Sequence, residues 1–237
     1  MATKFYLSDD RINISRGLMV ATTWIHRLAY IPSLTNGSET VIMSGGITSG
    51  RYTFPSTPQT LNVVSTSTSD DSTKSVLVSG LDGNYNPISE TITLNGTSNV
   101  TTTKSYLRIQ RLSTAGSNAI SGNVSIRNAT VLANLNDGDG QSLQGIYTIP
   151  AGVTGYLTNM SGSVPKGGDA MFRLYSKPFG SSFSAVRHIF GLAAASYDFS
   201  FPYPTLLPEK TDIEMTATSS TGGSSATGTF DILLVNN

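Results

Sequence analysis

Apolar side chains recur at every second position in short runs along most of this chain. In the run that ends at Leu94, Ile88 and Ile92 fall on the same side as Leu94, while Thr91 and Thr93 fall on the other. A period of two places alternate side chains on opposite faces of a strand, whereas a helix has a period of about 3.6 residues. The pattern therefore predicts strands with one buried face.

The same alternation predicts strands along the rest of the chain, at 61–66, 75–81, 100–112, 124–126, 145–149, 155–160, 171–175, 213–218 and 230–235. Clusters of Gly, Pro, Asn and Asp separate these runs and are typical of turns. Asn95 and Gly96 suit a type I′ turn, so we expect 88–94 and 100–112 to form a hairpin. Many short strands with turns between them indicate an all-β sandwich or barrel.

Two stretches lack clean alternation. From 184 to 196 a strand is favoured over a short helix, because Gly191 and β-branched neighbours disfavour a helix. The first 50 residues are interpreted as an N-terminal arm or small subdomain. We expect 51–237 to form one β-sandwich, with two halves divided near 134–140 as the alternative, because two smaller domains would bury less of their surface.

Charge is scarce in this chain and cysteine is absent. Lys and Arg number 15, Asp and Glu number 15, and charged residues make up 13% of the sequence, where about 25% is usual. Nucleic acids and anionic membranes are bound mainly by clustered Lys and Arg, so we expect neither as a partner. Without cysteine there is no disulfide scaffold, cysteine zinc site or thiol nucleophile.

Targeting and membrane patterns are not seen. Acidic residues at 9 and 10 stand where a signal peptide has its apolar core. No run approaches 18 consecutive apolar residues, the length that suggests a membrane-spanning helix. The interpretation is a protein that neither enters the secretory route by that signal nor spans a bilayer.

Histidine, the commonest general base and a frequent metal ligand, occurs at His26 and His188. The two are far apart in sequence, and neither has carboxylates nearby at the spacing of a metal site. Both are interpreted as residues on the polar face of a strand. We expect no catalytic, cofactor-binding or metal-binding residues and no cofactor.

Two acidic clusters in the sequence are candidate sites. The segment 136–140, Asn-Asp-Gly-Asp-Gly, has the oxygen-rich composition of a calcium loop but not the spacing of an EF-hand, and it is interpreted as a turn. The sequence does not decide whether this segment binds a calcium ion. Asp70 and Asp71 are interpreted as parts of a solvated loop.

An enzyme acting on glycans would need two positioned carboxylates. The candidates are Glu90, Glu214, Asp137 and Asp139, and no sequence pattern pairs them, so we expect no enzyme. Aromatic residues could form a platform that stacks on sugars, although core packing or a subunit interface is favoured. They are Trp24, Tyr30, Tyr52, Phe54, Tyr85, Tyr175, Phe199, Phe201 and Tyr203.

The order of these segments resembles virion structural proteins of tailed bacteriophages, particularly marine and cyanobacterial phages. The resemblance covers roughly 51–237. It is carried by Tyr52–Pro55, Leu61–Thr68, Val76–Asn86, Ile88–Thr97, Ser105–Arg111, Gly140–Leu157 and Lys210–Thr218. It implies a jelly-roll-like antiparallel β-sandwich without enzymatic activity, located in the virion and assembled in the host cytoplasm.

Within that family a capsid decoration or cement protein is favoured. Such a protein would bind and stabilise the lattice of the major capsid protein, and we expect it to be a homo-oligomer, with a trimer favoured. The alternatives are a fibre or receptor-binding protein, for which a host-surface glycan is an open partner, and a neck or tail adaptor. Copy number per particle separates these roles.

Overall fold

The structure is a computed structural model that describes residues 10–45 and 49–237. The segment 1–9, where the sequence shows no signal-peptide pattern, lies outside the described residues. The elements are α1 Asp10–Ser15, β1 Thr22–Ile31, β2 Thr40–Val41, β3 Asn62–Ser65, β4 Ser75–Leu81, β5 Pro87–Thr93, β6 Val100–Thr101, β7 Arg108–Ala115, β8 Val124–Arg127, β9 Val131–Leu135, β10 Ile146–Thr148, β11 Val153–Ser163, β12 Asp169–Lys177, β13 Ser184–Ala193, β14 Ser196–Leu207, β15 Asp212–Thr218 and β16 Ala226–Asn236. The expected all-β class is confirmed.

Eight strands form a jelly roll. One sheet has the order β1-β16-β11-β14, and a second has the order β10-β15-β12-β13, with β2 also paired to β15. The pairs in both sheets are antiparallel. Lettered B to I in chain order, these strands give the sheets B-I-D-G and C-H-E-F, which is the jelly-roll arrangement. The expected jelly-roll-like antiparallel sandwich is confirmed.

The core of the jelly roll comes from the alternating faces of its long strands. Along β12 and β16 every second side chain is buried, and Phe172 and Phe230 lie fully inside the core. Gly162 on β11 makes room for this packing, because a Cβ there would lie 2.8 Å from the Phe172 ring. Burial of a large side chain of this kind contributes about 1.5–3 kcal/mol to stability.

A second sandwich lies between β1 and β10 in the chain. We call it the insert, residues 62–135. Its two sheets have the orders β6-β3-β8-β9 and β5-β4-β7. A separate cluster of buried side chains fills it, including Val63, Val78, Leu112 and Ile126. The described residues therefore form two hydrophobic cores, and the chain leaves the jelly roll after β2 and returns to it at β10.

The hairpin expected at Asn95–Gly96 is wrong. Strand β5 pairs with β4 around a turn at 82–86, and β7 pairs with the other side of β4. Strand β6, which follows the Asn95–Gly96 turn, pairs with β3 in the other sheet of the insert. Gly96 does adopt a positive φ of 56°, but its N–H donates to the carbonyl of Asp70 at 2.7 Å. The turn thus carries the chain from one sheet of the insert to the other, because the loop at Asp70 holds it there.

The irregular segments also form strands. The segment expected as a strand at 184–196 contains β13, so that prediction is confirmed. Strand β1, within the first 50 residues, pairs with β16 along its whole length, from Thr22 with Val235 to Ile31 with Ala226. The boundaries drawn from the sequence, 1–50 and 51–237 with an alternative division near 134–140, stay a prediction.

Candidate functional site

A groove lies where the jelly roll meets the insert. Strand β1 forms one wall, and β4, β5 and β7 of the insert form the other. The groove has a volume of about 480 Å³, and its lining includes Trp24, Arg27, Arg111 and Tyr147. No Asp or Glu stands among its described lining residues. The groove is therefore cationic and aromatic.

Arg27 is the unusual residue of this groove. Strand alternation places it on the inward face of β1 with Ala29 and Ile31, and only 4% of its surface is exposed. Its guanidinium lies 4.7 Å from the centre of the Tyr147 ring. Burial lowers the pKa of Arg27 to about 10, in spite of the favourable interaction with Tyr147. A cation in this position is held by a ring rather than by an acid.

The hydrogen bonds of Arg27 are incomplete. Among the described residues its Nη2 donates only one long bond, 3.4 Å to the Gln110 Oε1, and its buried Nε has no partner. Gln110 is itself fixed, since its Nε2 donates to the carbonyl of Thr148 at 2.6 Å. A buried donor without an acceptor costs about 1–3 kcal/mol. Arg27 therefore has a buried cationic donor without an acceptor among the described residues.

His26, the neighbour of Arg27 on β1, also lines the groove. Its Nδ1 is 2.5 Å from the Asp231 Oδ1 on the neighbouring strand β16, and its side chain is 64% exposed. For His188, the structure describes the backbone, which pairs with Arg173 of β12, and not the side chain. The two histidines belong to different sheets. That neither of them is a catalytic or metal-binding residue stays a prediction.

Buried ion pairs join the insert to the jelly roll beside this groove. Arg108 of β7 donates from Nε and Nη2 to the two oxygens of Asp212 on β15, both at 2.8 Å. Thr148 Oγ1 donates to the same carboxylate at 2.7 Å. Paired geometry of this kind is strong and directional. The junction is held by polar contacts as well as by packing.

Glu214, a candidate acid, also lies buried at this junction. It accepts hydrogen bonds from Arg51 at 2.6 and 2.9 Å and from the backbone N–H of Tyr52 at 2.6 Å. Burial raises the pKa of Glu214 although the Arg51 charge opposes the shift. Because its oxygens already have partners inside the protein, this carboxylate has a structural role.

The other candidate acids have separate partners. Glu90 accepts from Thr103 and from the backbone of Lys104. In the segment 136–140, Asp139 accepts from Asn136 at 2.9 Å within a turn, so the interpretation as a turn is confirmed. The described residues contain no group of three or more His, Asp or Glu placed to hold a metal ion.

The prediction of a solvated loop is wrong for Asp70 and right for Asp71. Asp70 is fully buried. It accepts from Ser65 Oγ, from Lys74 Nζ at 3.1 Å and from the backbone N–H of Ser121 at 2.7 Å. A polar loop can fold over a carboxylate when it supplies enough donors, and two adjacent acids in the sequence do not reveal which one turns inward.

The second feature is the edge strand β14. It is exposed over most of its length, with Tyr203 89%, Leu206 56% and Tyr197 39% exposed. Phe199 and Phe201 stack edge to face at 5.0 Å on the same strand. We call this surface the β14 edge. Elsewhere Tyr52 is buried in the insert core, so the candidate aromatics divide between packing and surface.

Sequence reasoning missed the arginines of the groove. Positions 25, 27, 29 and 31 form one face of β1, and an arginine among Ile, Ala and Ile on such a face is a signal for a buried cation. Arg111, half-buried in β7, gave no signal, because its proximity to Arg27 depends on how the insert folds back on β1. No helix of the described residues is long and apolar enough to cross a membrane.

Comparisons with known proteins give weak likenesses. No protein-family model matches the chain, and no curated protein sequence matches it. Among solved structures, infectious bursal disease virus Gx strain is similar over 91% of this chain and 72% of that one, with 12% identity and a TM-score of 0.26. The VP2 subviral particle of infectious bursal disease virus is similar over 92% and 73%, with 10% identity and a TM-score of 0.26. TM-scores this low do not establish a common fold.

Proposed function

We propose that this chain is a non-enzymatic structural protein of a tailed-bacteriophage virion, acting as a capsid decoration or cement protein on the lattice of the major capsid protein. The observation that carries the proposal is the β14 edge. The resemblance of residues 51–237 to phage virion proteins points the same way. The jelly roll itself hosts capsid proteins, lectins and other classes, so it does not choose among them.

The β14 edge has the properties of a surface that another protein covers. An exposed edge strand can associate through its unpaired backbone groups or through large apolar side chains, and proline blocks only the backbone route. Pro202 and Pro204 remove two backbone donors, and Asp198 is the one charged residue of the strand. Its carboxylate already accepts from Asn159 at 2.9 Å. Covering this edge therefore costs little desolvation of charge.

Tyrosine and other aromatic side chains are enriched in protein interfaces, which suits a contact made by Tyr197, Tyr203 and Leu206. We propose a homo-oligomer, with a trimer favoured, bound to the major capsid protein within a particle assembled in the host cytoplasm. A closed symmetric oligomer would bury the same edge in every copy. The low overall charge of the chain fits repeated contacts of this kind.

The test is a binding assay with preformed capsids and the double variant Tyr203→Ser, Leu206→Ser. We expect the variant to keep its fold, since both side chains are exposed, and to lose capsid binding, self-association or both. Val20→Ser is the matched control, because Val20 is 88% exposed and lies outside β14. Unchanged self-association and capsid binding in the double variant would reject the β14 edge as the contact surface.

The proposed N-terminal arm needs a narrower deletion than residues 1–50. Removing that whole segment would delete β1, which pairs with β16 along ten residues. Deleting residues 1–9 leaves every described element in place. Weaker binding to capsids by this truncated chain is the expected result, and unchanged binding rejects the arm without affecting the β14 edge.

The alternatives are a fibre or receptor-binding protein and a neck or tail adaptor. Both would be present in few copies at the tail, whereas a decoration protein covers the head in many copies. Labelling of intact particles with an antibody against the chain separates these locations. Label confined to the tail would replace the decoration role with one of these two.

A further inference from the structure

We propose that the groove between β1 and the insert binds a carboxylated sugar, whose carboxylate is held by Arg27 and Arg111. The groove lies at the junction of two folded units, where ligand pockets occur preferentially, and its volume of about 480 Å³ is within the usual range. This inference goes beyond the proposed function. The groove shares no lining residue with the β14 edge, so the two tests are independent.

Arg27 supplies the first argument. Arginine is almost never fully buried unless it is paired with an acid. Here Arg27 exposes only 4% of its surface, forms no ion pair among the described residues and leaves its Nε without an acceptor. A carboxylate accepts two parallel N–H bonds from a guanidinium in a planar arrangement. Arg27 therefore carries a charge that no described acid neutralises, and a ligand carboxylate in the groove would supply the counter-charge.

Arg111 supplies the second argument. It lines the same groove, and its charge acts on Arg27 closely enough to help lower the pKa of that residue. Two cations that face one cavity without an intervening acid repel each other. Arg111 forms no ion pair within the described part of the chain either. An anion between them would relieve this repulsion, which favours an anionic ligand over a neutral one.

The remaining lining favours a sugar ring as the carrier of the carboxylate. Trp24 and Tyr147 supply aromatic surface, and Ser79 and Ser89 supply small polar groups. Pockets that recognise small ligands combine aromatic walls with a few placed polar groups in this way. A polyacidic peptide would require more cations than these two arginines. One carboxylate on a ring that carries hydroxyl groups matches the lining.

The test is calorimetric titration of the full chain with methyl galacturonide, which carries one carboxylate, with neutral methyl galactoside as the comparison ligand. We expect binding of the acid and none of the neutral sugar. Arg111→Gln should weaken binding by about tenfold or more, the effect of losing one charged contact. Arg27→Gln should do the same. Arg127→Gln is the matched control, since Arg127 is exposed at the end of β8, away from the groove.

Each outcome decides the proposal. Circular dichroism of the variants establishes that they are folded, and Arg111→Gln carries the test if Arg27→Gln fails to fold. Equal affinity for both sugars, no binding of the acid at millimolar concentration, or unchanged affinity in Arg111→Gln would overturn it. Binding of a polyglutamate peptide in place of the acidic sugar would also overturn it, because the occupant would then be a peptide.

Discussion

Single carboxylates with several hydrogen-bond donors around them fix two loops of this molecule. Asp70 ties together the loop before β4 and the loop before β8, through Lys74 and the backbone N–H groups of Ser121 and Gly122. Asp169 does the same for the turn after β15, where it accepts from Ser219, Ser220 and Thr221. Because Ser and Thr supply most of these donors, the unusual composition of the chain has a structural use.

The substitution Asp70→Ala is predicted to destabilise the protein by about 3 kcal/mol, because it leaves Lys74 and two backbone donors without their acceptor. Urea denaturation measures the change in the free energy of unfolding. Asp71→Ala is the matched control, since the neighbouring side chain is exposed and should leave stability close to that of the parent protein. Equal effects of the two substitutions would contradict the buried role of Asp70.

The pKa of Asp169 is held well below its ordinary value of 3.8 by hydrogen bonds from Thr221, Ser220 and Ser219. A carboxyl whose pKa is lowered on folding stabilises the protein above its ordinary pKa, and that stabilisation is lost as the pH falls toward the folded-state pKa. The free energy of unfolding should therefore fall below about pH 4. In Asp169→Asn this fall should be shallower when unfolding is followed in urea between pH 6 and pH 2, and an unchanged slope would refute the assignment.

At the scale of the elements, alternation predicted most strands because it depends only on local burial. It located β4 at 75–81, as observed, and placed strands at the sites of β3, β8, β10, β11, β12, β15 and β16. Pairing was harder. The turn at Asn95–Gly96 has the local chemistry of a hairpin, yet the hydrogen bonds around Asp70 direct the chain to another sheet. Local turn signals do not contain such long-range contacts.

The ion pair between Arg108 and Asp212 links β7 of the insert to β15 of the jelly roll. Replacing either residue by alanine is expected to cost about 3 kcal/mol or more, because the other charge stays buried without a partner. The double variant should cost less than the sum, with a coupling energy of about 2 kcal/mol. Denaturation of the four proteins in this cycle measures the coupling.

Glu209 and Lys210 provide the control pair for that cycle. Their charged atoms are 4.0 Å apart and both side chains are partly exposed, so their coupling should stay below about 1 kcal/mol. A coupling between Arg108 and Asp212 no larger than this control value would mean that this ion pair does not stabilise the junction of the two sandwiches.

At the scale of the whole molecule, the interleaving of the two sandwiches could not be predicted from the sequence. Strand β1 pairs with β16 at the far end of the chain, and the insert lies between β1 and β10. No local pattern records a pairing across that distance. The groove arises from this arrangement, since Arg27 and Arg111 come from different sandwiches and meet only in the folded molecule. The candidate site was therefore beyond sequence reasoning even where single residues carried a signal.

At this scale, the low content of charged residues suits contacts between subunits. The buried acids are paired inside the protein, while the β14 edge carries aromatic and proline side chains and one acid already in contact with Asn159. A surface of this kind can meet another subunit without removing charges from water. This is the physical basis for proposing a protein that acts in many copies on one particle.

The copy number of the chain in purified virions tests that proposal most directly. Quantitative mass spectrometry, with the major capsid protein of the same particles as the internal reference, gives the ratio of the two proteins. A decoration protein predicts hundreds of copies in a simple ratio to the capsid lattice. A few copies per particle, or none, would contradict the proposed function.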